Sequence, residues 1–586
     1  MQGRKRDGKQ IACWLVFRML PVTRPVLSFS AVGGSGYVLG GCVMEYAGMP
    51  WWKKGVVYQV SVTSFSDSDG DGIGDLRGII DRLDYLNDST SHSLGVDAIW
   101  LTPINASPML DFGYDVSDYY SINPRFGSMH DFEELLHACH GRGIRVIMDM
   151  VLNHTSSEHP WFVESRSSRD DPKRDWYVWR EGRSPGKPPN RWLAVVEGSA
   201  WEFDDSTRQF FYHAFLPFQP DLNWRNPEVR EAMFDVVRFW LDKGVDGFRL
   251  DLINFLYEDE LLRNNPRKYG IRPYDWQVHL YDRSRPESLE AAKGLRRITD
   301  EYPERVLMGE VYTDTPDDAV AYLGDGTDAL HLSFYLDFAE RKWRAEGFRE
   351  SVQWLEEHLP APGWSCYYLN NHDLMRTYTR LGRGGNAEAR AKVAAAMMST
   401  LRGTPIIYYG EEIGMPASKV PRKMMDDPIG KKFWPIPVGR DGSRTPMQWS
   451  GEKNAGFSRN EPWLPVDPSY GERNVERQDK EPDSLLNWYR RLVWTRKEKP
   501  ALMAGSYRAI EGTPRGVFAY LRELGEERIA VFLNFTSGLV SLPNQHGVLG
   551  EGTWKTLLST HGEEGGEVAL ENIRLQPDQA LVLERR

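Results

Sequence analysis

The sequence predicts an α/β protein built on a closed parallel barrel of eight strands with its helices outside. This (β/α)8 barrel carries an inserted subdomain after strand 3 and a C-terminal antiparallel β-sandwich. Three observations carry the prediction. Short apolar segments recur eight times between Val56 and Tyr409, helix-like runs lie between them, and the main interruption, from His154 to about Leu222, follows the third segment.

Residues 1–48 do not share this pattern. Basic residues (Arg4, Lys5, Arg6, Lys9) precede a short apolar run, Ile11 to Leu20, that Arg18 and Pro21 break well before the lipoprotein-like Leu39-Gly40-Gly41-Cys42. That layout argues against a secretion signal and for an N-terminal extension, disordered or upstream of a true start near Met44 or Met49. Barrel strands are expected at Val56–Val60, Ala98–Leu101, Arg145–Asp149, Gly247–Asp251, Val306–Val311, Ala329–Phe334, Ser365–Leu369 and Pro405–Tyr409. Among the intervening helices are Asp131–Arg142, Glu228–Lys243, Glu287–Glu301 and Ala387–Arg402, so the barrel spans 49–153 and 224–499. Residues 154–223, rich in Trp, Pro and charge, are too long for a loop and read as a subdomain. After a last helix near Leu485–Lys497, the alternating runs of 500–586, such as Gly516–Leu521 and Ile529–Leu533, read as the sandwich.

A chain of 586 residues with 41% hydrophobic and 26% charged residues has an ordinary globular composition. Its net charge of -11 argues against a nucleic-acid partner, which would select a basic face. The 21 Trp and 26 Tyr supply flat apolar rings of the kind that suit sugar faces. Cys13, Cys42, Cys139 and Cys366 show no metal-ligand spacing and are too sparse for a disulfide framework, which points to a reducing, cytoplasmic setting. No apolar run reaches the ~18 residues of a membrane span.

Chemistry in such a barrel sits where strands end. The fourth strand ends at Asp251, and Arg249, two residues earlier, points to the same side and is expected to keep that carboxylate ionised. The fifth strand ends at Glu310 and the seventh runs into Asn371-His372-Asp373, so three acids converge on one mouth. Asn153 and His154 join them after the third strand; with no third ligand at suitable spacing, hydrogen bonding to sugar hydroxyls is the better use of the two histidines.

Asp149 to His154, Gly247 to Asp251, Gly309 to Tyr312 and Asn371-His372-Asp373, in this order, resemble the four short motifs of glycoside hydrolase family 13, the α-amylase family. Gln219-Pro220-Asp221-Leu222-Asn223 and Arg444-Thr445-Pro446-Met447-Gln448-Trp449 are similar to further motifs of its oligo-1,6-glucosidases and other α-glucosidases. The resemblance implies Asp251 as nucleophile, Glu310 as general acid/base and Asp373 as the acid that holds and distorts the reacting sugar. It implies Tyr114 stacked on the terminal glucose, with Asp115, His154, His372 and Arg444 bonding its hydroxyls and Arg249 beside them. A retaining glycosidase needs its two reacting carboxyls about 5 to 5.5 Å apart. The run Asp67, Asp69, Asp71, Ile73 and Asp75, with glycines between, resembles an oxygen-ligand cation loop without the final glutamate of an EF-hand; in the α-glucosidases the matching loop binds one structural Ca²⁺ or Mg²⁺. No organic cofactor is implied.

The function expected is a retaining exo-α-glucosidase acting on short oligosaccharides, as a monomer or homodimer without nucleic-acid or membrane partners. If the mouth excludes water and retains a sugar, the same acids perform transfer or isomerisation, as in trehalose synthases and sucrose isomerases. A non-catalytic module like the amylase-like ectodomains of transporter heavy chains would need a membrane span and lost acids, and this chain keeps all three. In the resembling glucosidases Val after the nucleophile accompanies α-1,6 preference and small residues α-1,4; Leu252 departs from both and its bulk leans toward α-1,6 or mixed substrates.

Overall fold

The computed structural model describes residues 48–586 apart from 197, 271, 314, 437 and 563. The expected N-terminal extension, with Cys13 and Cys42, therefore lies outside the described residues but for residue 48. Eight parallel strands close into a barrel: β1 (Val57–Val60), β2 (Ala98–Leu101), β3 (Arg145–Met150), β4 (Gly247–Leu250), β5 (Val306–Gly309), β6 (Leu332–Phe334), β7 (Trp364–Tyr367) and β8 (Thr404–Tyr408), with β1 paired to both β2 and β8. The strands are continuously apolar because both faces are covered. In β3, Ile147 belongs to the lumen cluster with Trp100, Met308 and Phe334, while Val146 and Met148 join the larger core beneath the helices. Gly247 is needed where β4 meets β5, since a Cβ there would lie 2.3 Å from the Val306 carbonyl oxygen.

Three of the four expected helices begin one or two residues earlier than the apolar period suggests; side-chain caps set two of the starts and a proline at the first helical position the third, Pro286–Thr299. In α1 (Met129–His140) Ser128 and Asp131 form a capping box, and in α2 (Pro227–Asp242) Asn226 accepts from Glu228 N ahead of a proline at the first helical position. Helices α3 (Pro286–Thr299), α4 (Ala345–His358), α5 (Ala387–Thr400) and α6 (Leu485–Glu498) continue the outer layer.

Between β3 and α2 the chain builds helix Pro160–Ser167 and a three-stranded antiparallel sheet in which Gln209–Tyr212 pairs with Trp179–Arg180 and Trp201–Asp204. Bridges His154↔Asp221 and Tyr177↔Leu222 bring the entry and exit of this insertion together on the rim. The C-terminal sheet contains β9 (Ser506–Ala509), β10 (Val517–Leu524), β11 (Glu527–Asn534), β12 (Trp554–Ser559) and β13 (Ala580–Arg585) in the order β9-β10-β11-β13-β12. A two-stranded ribbon, Val540–Pro543 with Asn572–Leu575, contributes Leu542, Ile573 and Leu575 to a core shared with that sheet. Tyr520 meets Thr400 of α5 at 2.6 Å, and Arg522 donates to the Thr400 carbonyl at 2.5 Å, which ties this layer to the barrel. Among the described residues no helix is long and apolar enough to cross a membrane.

Candidate active site

The parallel register sets Asp149 of β3 against Arg249 of β4, with Met308 of β5 on the other side. The two-residue period then lifts Asp251 and Glu310 onto the rim. The Arg249 guanidinium, fully buried, donates through Nη1 to Asp149 Oδ1 (2.8 Å) and Asp251 Oδ1 (2.6 Å) and through Nη2 to Glu310 Oε2. One planar fork thus grips both rim carboxylates, and their inner oxygens become neighbours rather than occupants of opposite rims. Arg249 lies beneath the two rim carboxylates and pairs with both.

Burial opposes the ionisation that Arg249 favours. Burial pushes the Asp251 carboxyl well above the usual range, with Arg249 pulling the other way and Glu310 adding to the rise. Burial raises Glu310 as well, against Arg249 and with Asp373. Burial thus draws both rim acids toward the protonated form while Arg249, which also holds the buried Asp149, draws them toward the charged one. Asp373 is the opposite case. Burial raises it, but His372, Arg440 and Arg444 outweigh burial and hold it well below the usual range. Its Oδ1 accepts from Arg444 Nη2 (2.8 Å) and Arg440 Nη1 (3.2 Å), and its Oδ2 lies 3.0 Å from His372 Nε2.

Tyr114 stacks on His372 with ring centroids 5.5 Å apart, and its hydroxyl lies 2.8 Å from His372 Nε2 while donating to Asp149 Oδ2 (3.0 Å). His154 sits behind it, with Nε2 3.1 Å from the Tyr114 carbonyl oxygen, and burial lowers its pKa to about 4, so the ring is neutral. Asp115 is a correction. It is wholly buried, and its carboxylate accepts from Ser107 Oγ, Leu110 N and Asp111 N, so it clasps the loop instead of facing the mouth.

The residue of that loop that meets the site is Asp111, whose Oδ1 accepts from Arg440 Nη2 at 2.7 Å, while Arg440 also holds Asp427 at 2.9 Å. Neither Asp111 nor Arg440 stands out in the sequence, because each lies in a loop and their pairing joins positions 329 residues apart. Leu252, directly after Asp251, adopts the left-handed conformation (φ 42°) and packs against an aromatic cluster that joins Phe215 of the subdomain to Phe255 after β4.

Away from the mouth, carboxylate oxygens of Asp67, Asp69 and Asp71 lie within 4.8 Å of one another. Gly70 and Gly72 turn between them at φ 87° and 95°. Burial and the neighbouring acids raise the Asp71 carboxyl, the strain a cation would relieve. Asp75 stands outside that trio; its oxygens accept from Ser68 N, Ser68 Oγ and Gly78 N, capping helix Leu76–Ile80. The donor set fits a hard divalent cation.

Comparison with known proteins agrees with this geometry. The family described as "Alpha amylase, catalytic domain" matches residues 59–505. A probable alpha-glucosidase of Rhizobium meliloti is 42% identical over 500 residues, 83% of this chain and 89% of the relative. An oligo-1,6-glucosidase of Parageobacillus thermoglucosidasius is 38% identical over 578 residues, 92% of this chain and 99% of the relative. The solved alpha-glucosyl transfer enzyme XgtA superposes with a TM-score of 0.85 at 40% identity, covering 92% of this chain and all of its own. With an eight-stranded barrel, three converging rim acids and these relatives, the chain belongs to the α-amylase family of glycoside hydrolases.

Proposed function

We propose that the protein is a retaining, exo-acting α-glucosidase of short oligosaccharides in which Asp251 attacks the anomeric carbon and Glu310 protonates the departing glycosidic oxygen. A glucosyl ester on Asp251 forms, and Glu310, now deprotonated, takes a proton from the water that cleaves it. The observation that carries this reading is the Arg249 fork, anchored on Asp149, which sets both carboxylates side by side on one guanidinium. Asp373, kept ionised by His372, Arg440 and Arg444, is the acceptor for hydroxyls of the reacting ring. The Arg440–Asp111 pair beside Asp373 suits a pocket that takes a chain end rather than an open groove. Asp67, Asp69, Asp71 and the Ile73 carbonyl, on a loop capped by Asp75, are proposed to hold a structural Ca²⁺ or Mg²⁺. Buried free thiols at Cys139 and Cys366 suit a cytoplasmic enzyme, monomeric or dimeric.

Similarity to an alpha-glucosyl transfer enzyme favours one second reading, in which a sugar or alcohol replaces water at the ester. Release of nitrophenol from an aryl α-glucoside tests the nucleophile: Asp251→Asn is expected to lower it by roughly a thousandfold or more. Equal release by the variant would remove Asp251 from its role. Product analysis on isomaltose, maltose and sucrose separates hydrolysis from transfer.

A further inference from the structure

Arg444 and Arg440, the two arginines that hold Asp373, both come up against one aromatic ring. The Arg444 guanidinium carbon lies 3.9 Å from the ring centroid of Phe112, and that of Arg440 lies 5.6 Å from it. We propose that Phe112 is a positioning residue whose ring face seats the Arg444 guanidinium so that it delivers Nη2 to Asp373. This rests on the reading of Asp373 as the sugar-holding acid.

Phe112 reaches that place through a backbone conformation that a bulky side chain avoids. Its φ is 56°, between Asp111 and Gly113 (φ 97°), and such a conformation persists where the surroundings dictate it. Here they do. Asp115 takes the Leu110 and Asp111 amide hydrogens, and Arg440 holds Asp111 Oδ1 at 2.7 Å, so the residues just before Phe112 are tied down. Trp463, tilted at 64° with its centroid 6.0 Å away, packs against the same ring. Arg444 is buried and binds through two of its three nitrogens. Nε donates to the His372 carbonyl oxygen (2.8 Å) and Nη2 to Asp373 Oδ1 (2.8 Å), while Nη1 has no hydrogen-bond partner among the described residues. The electron-rich face of Phe112 offsets charge that those two bonds leave uncompensated, and it fixes the plane in which the guanidinium lies. Both bonds run to the segment after β7, so the ring bears on Asp373 through Arg444.

The test places phenylalanine bearing one, two and three ring fluorines at position 112, which weakens the negative charge of the ring face stepwise at nearly constant shape. kcat/KM for an aryl α-glucoside is expected to fall at each step, by about five- to thirtyfold at the third, and Phe112→Leu is expected to lose about as much. In an Arg444→Met background the same fluorine series is expected to be flat within about twofold, since the cation it acts on is gone. A flat series in the parent enzyme, or one that falls equally in Arg444→Met, overturns the proposal. A ring needed only for packing would give the first of these with Phe112→Leu still impaired. Should Arg444→Met be inactive, the parent series alone decides. Failure of the underlying reading shows separately: Asp373→Asn retaining full kcat/KM removes Asp373 from its role, whatever the fluorine series gives.

Discussion

Asp251 and Glu310 share one guanidinium, so a change at either is felt by its partner. Burial raises both, and the proton that Glu310 donates is lost as pH climbs, so kcat/KM is expected to fall on the alkaline side as the general acid disappears. Glu310→Gln separates the roles. It should slow hydrolysis of isomaltose by about 10²–10⁴-fold. Nitrophenyl glucoside, whose leaving group needs little protonation, should suffer far less in the first step, and a uniform loss across leaving groups would argue against Glu310 as the acid. Leu252 belongs to the same scale. Its left-handed backbone, strained for any side chain but glycine, is held by packing against the subdomain, so the residue after the nucleophile links linkage preference to the insertion. Leu252→Ala is expected to shift the isomaltose-to-maltose rate ratio toward maltose; an unchanged ratio would detach this position from specificity.

At the scale of elements, the loop of Asp67 to Asp75 is shaped by its glycines. A Cβ at Gly72 would lie 2.3 Å from the Glu461 carbonyl oxygen, at a φ that L residues avoid. Gly72→Ala should therefore lower Tm and abolish any Ca²⁺-dependent rise in Tm, measured by scanning fluorimetry with and without chelator. Chelation of the parent protein that leaves both Tm and activity unchanged would count against the cation.

The whole molecule places a second group of acids just past β8. Burial pushes the Glu411 carboxyl up to about 7 from its ordinary 4.5, with Glu412 adding to the rise. The folded state prefers the protonated form, so this contribution to stability is complete below about 4.5 and is lost as pH rises through about 7. Glu411→Gln cannot ionise, so the fall in Tm between pH 5 and 8 should shrink by about 1–3 °C. A wild-type fall in Tm retained in full would place the titration elsewhere.

By itself the sequence determined the eight strands, whose continuous apolar runs between caps and glycines locate them to within a few residues, and the acids at their ends. Asp251 and Glu310 were legible because strand period and position carry them to the barrel rim, and Asp373 because its motif follows the seventh strand. What only the tertiary structure decided are contacts between segments distant in sequence: Asp111 instead of Asp115 at the mouth, Arg440 bridging Asp111 and Asp373, and Gln59 of β1 beside His372. The burial of Asp251 belongs there too, because local sequence shows the neighbouring arginine but not the desolvation that opposes it. Strand ends follow from local pattern, whereas loop pairings and desolvation depend on what closing the barrel brings together.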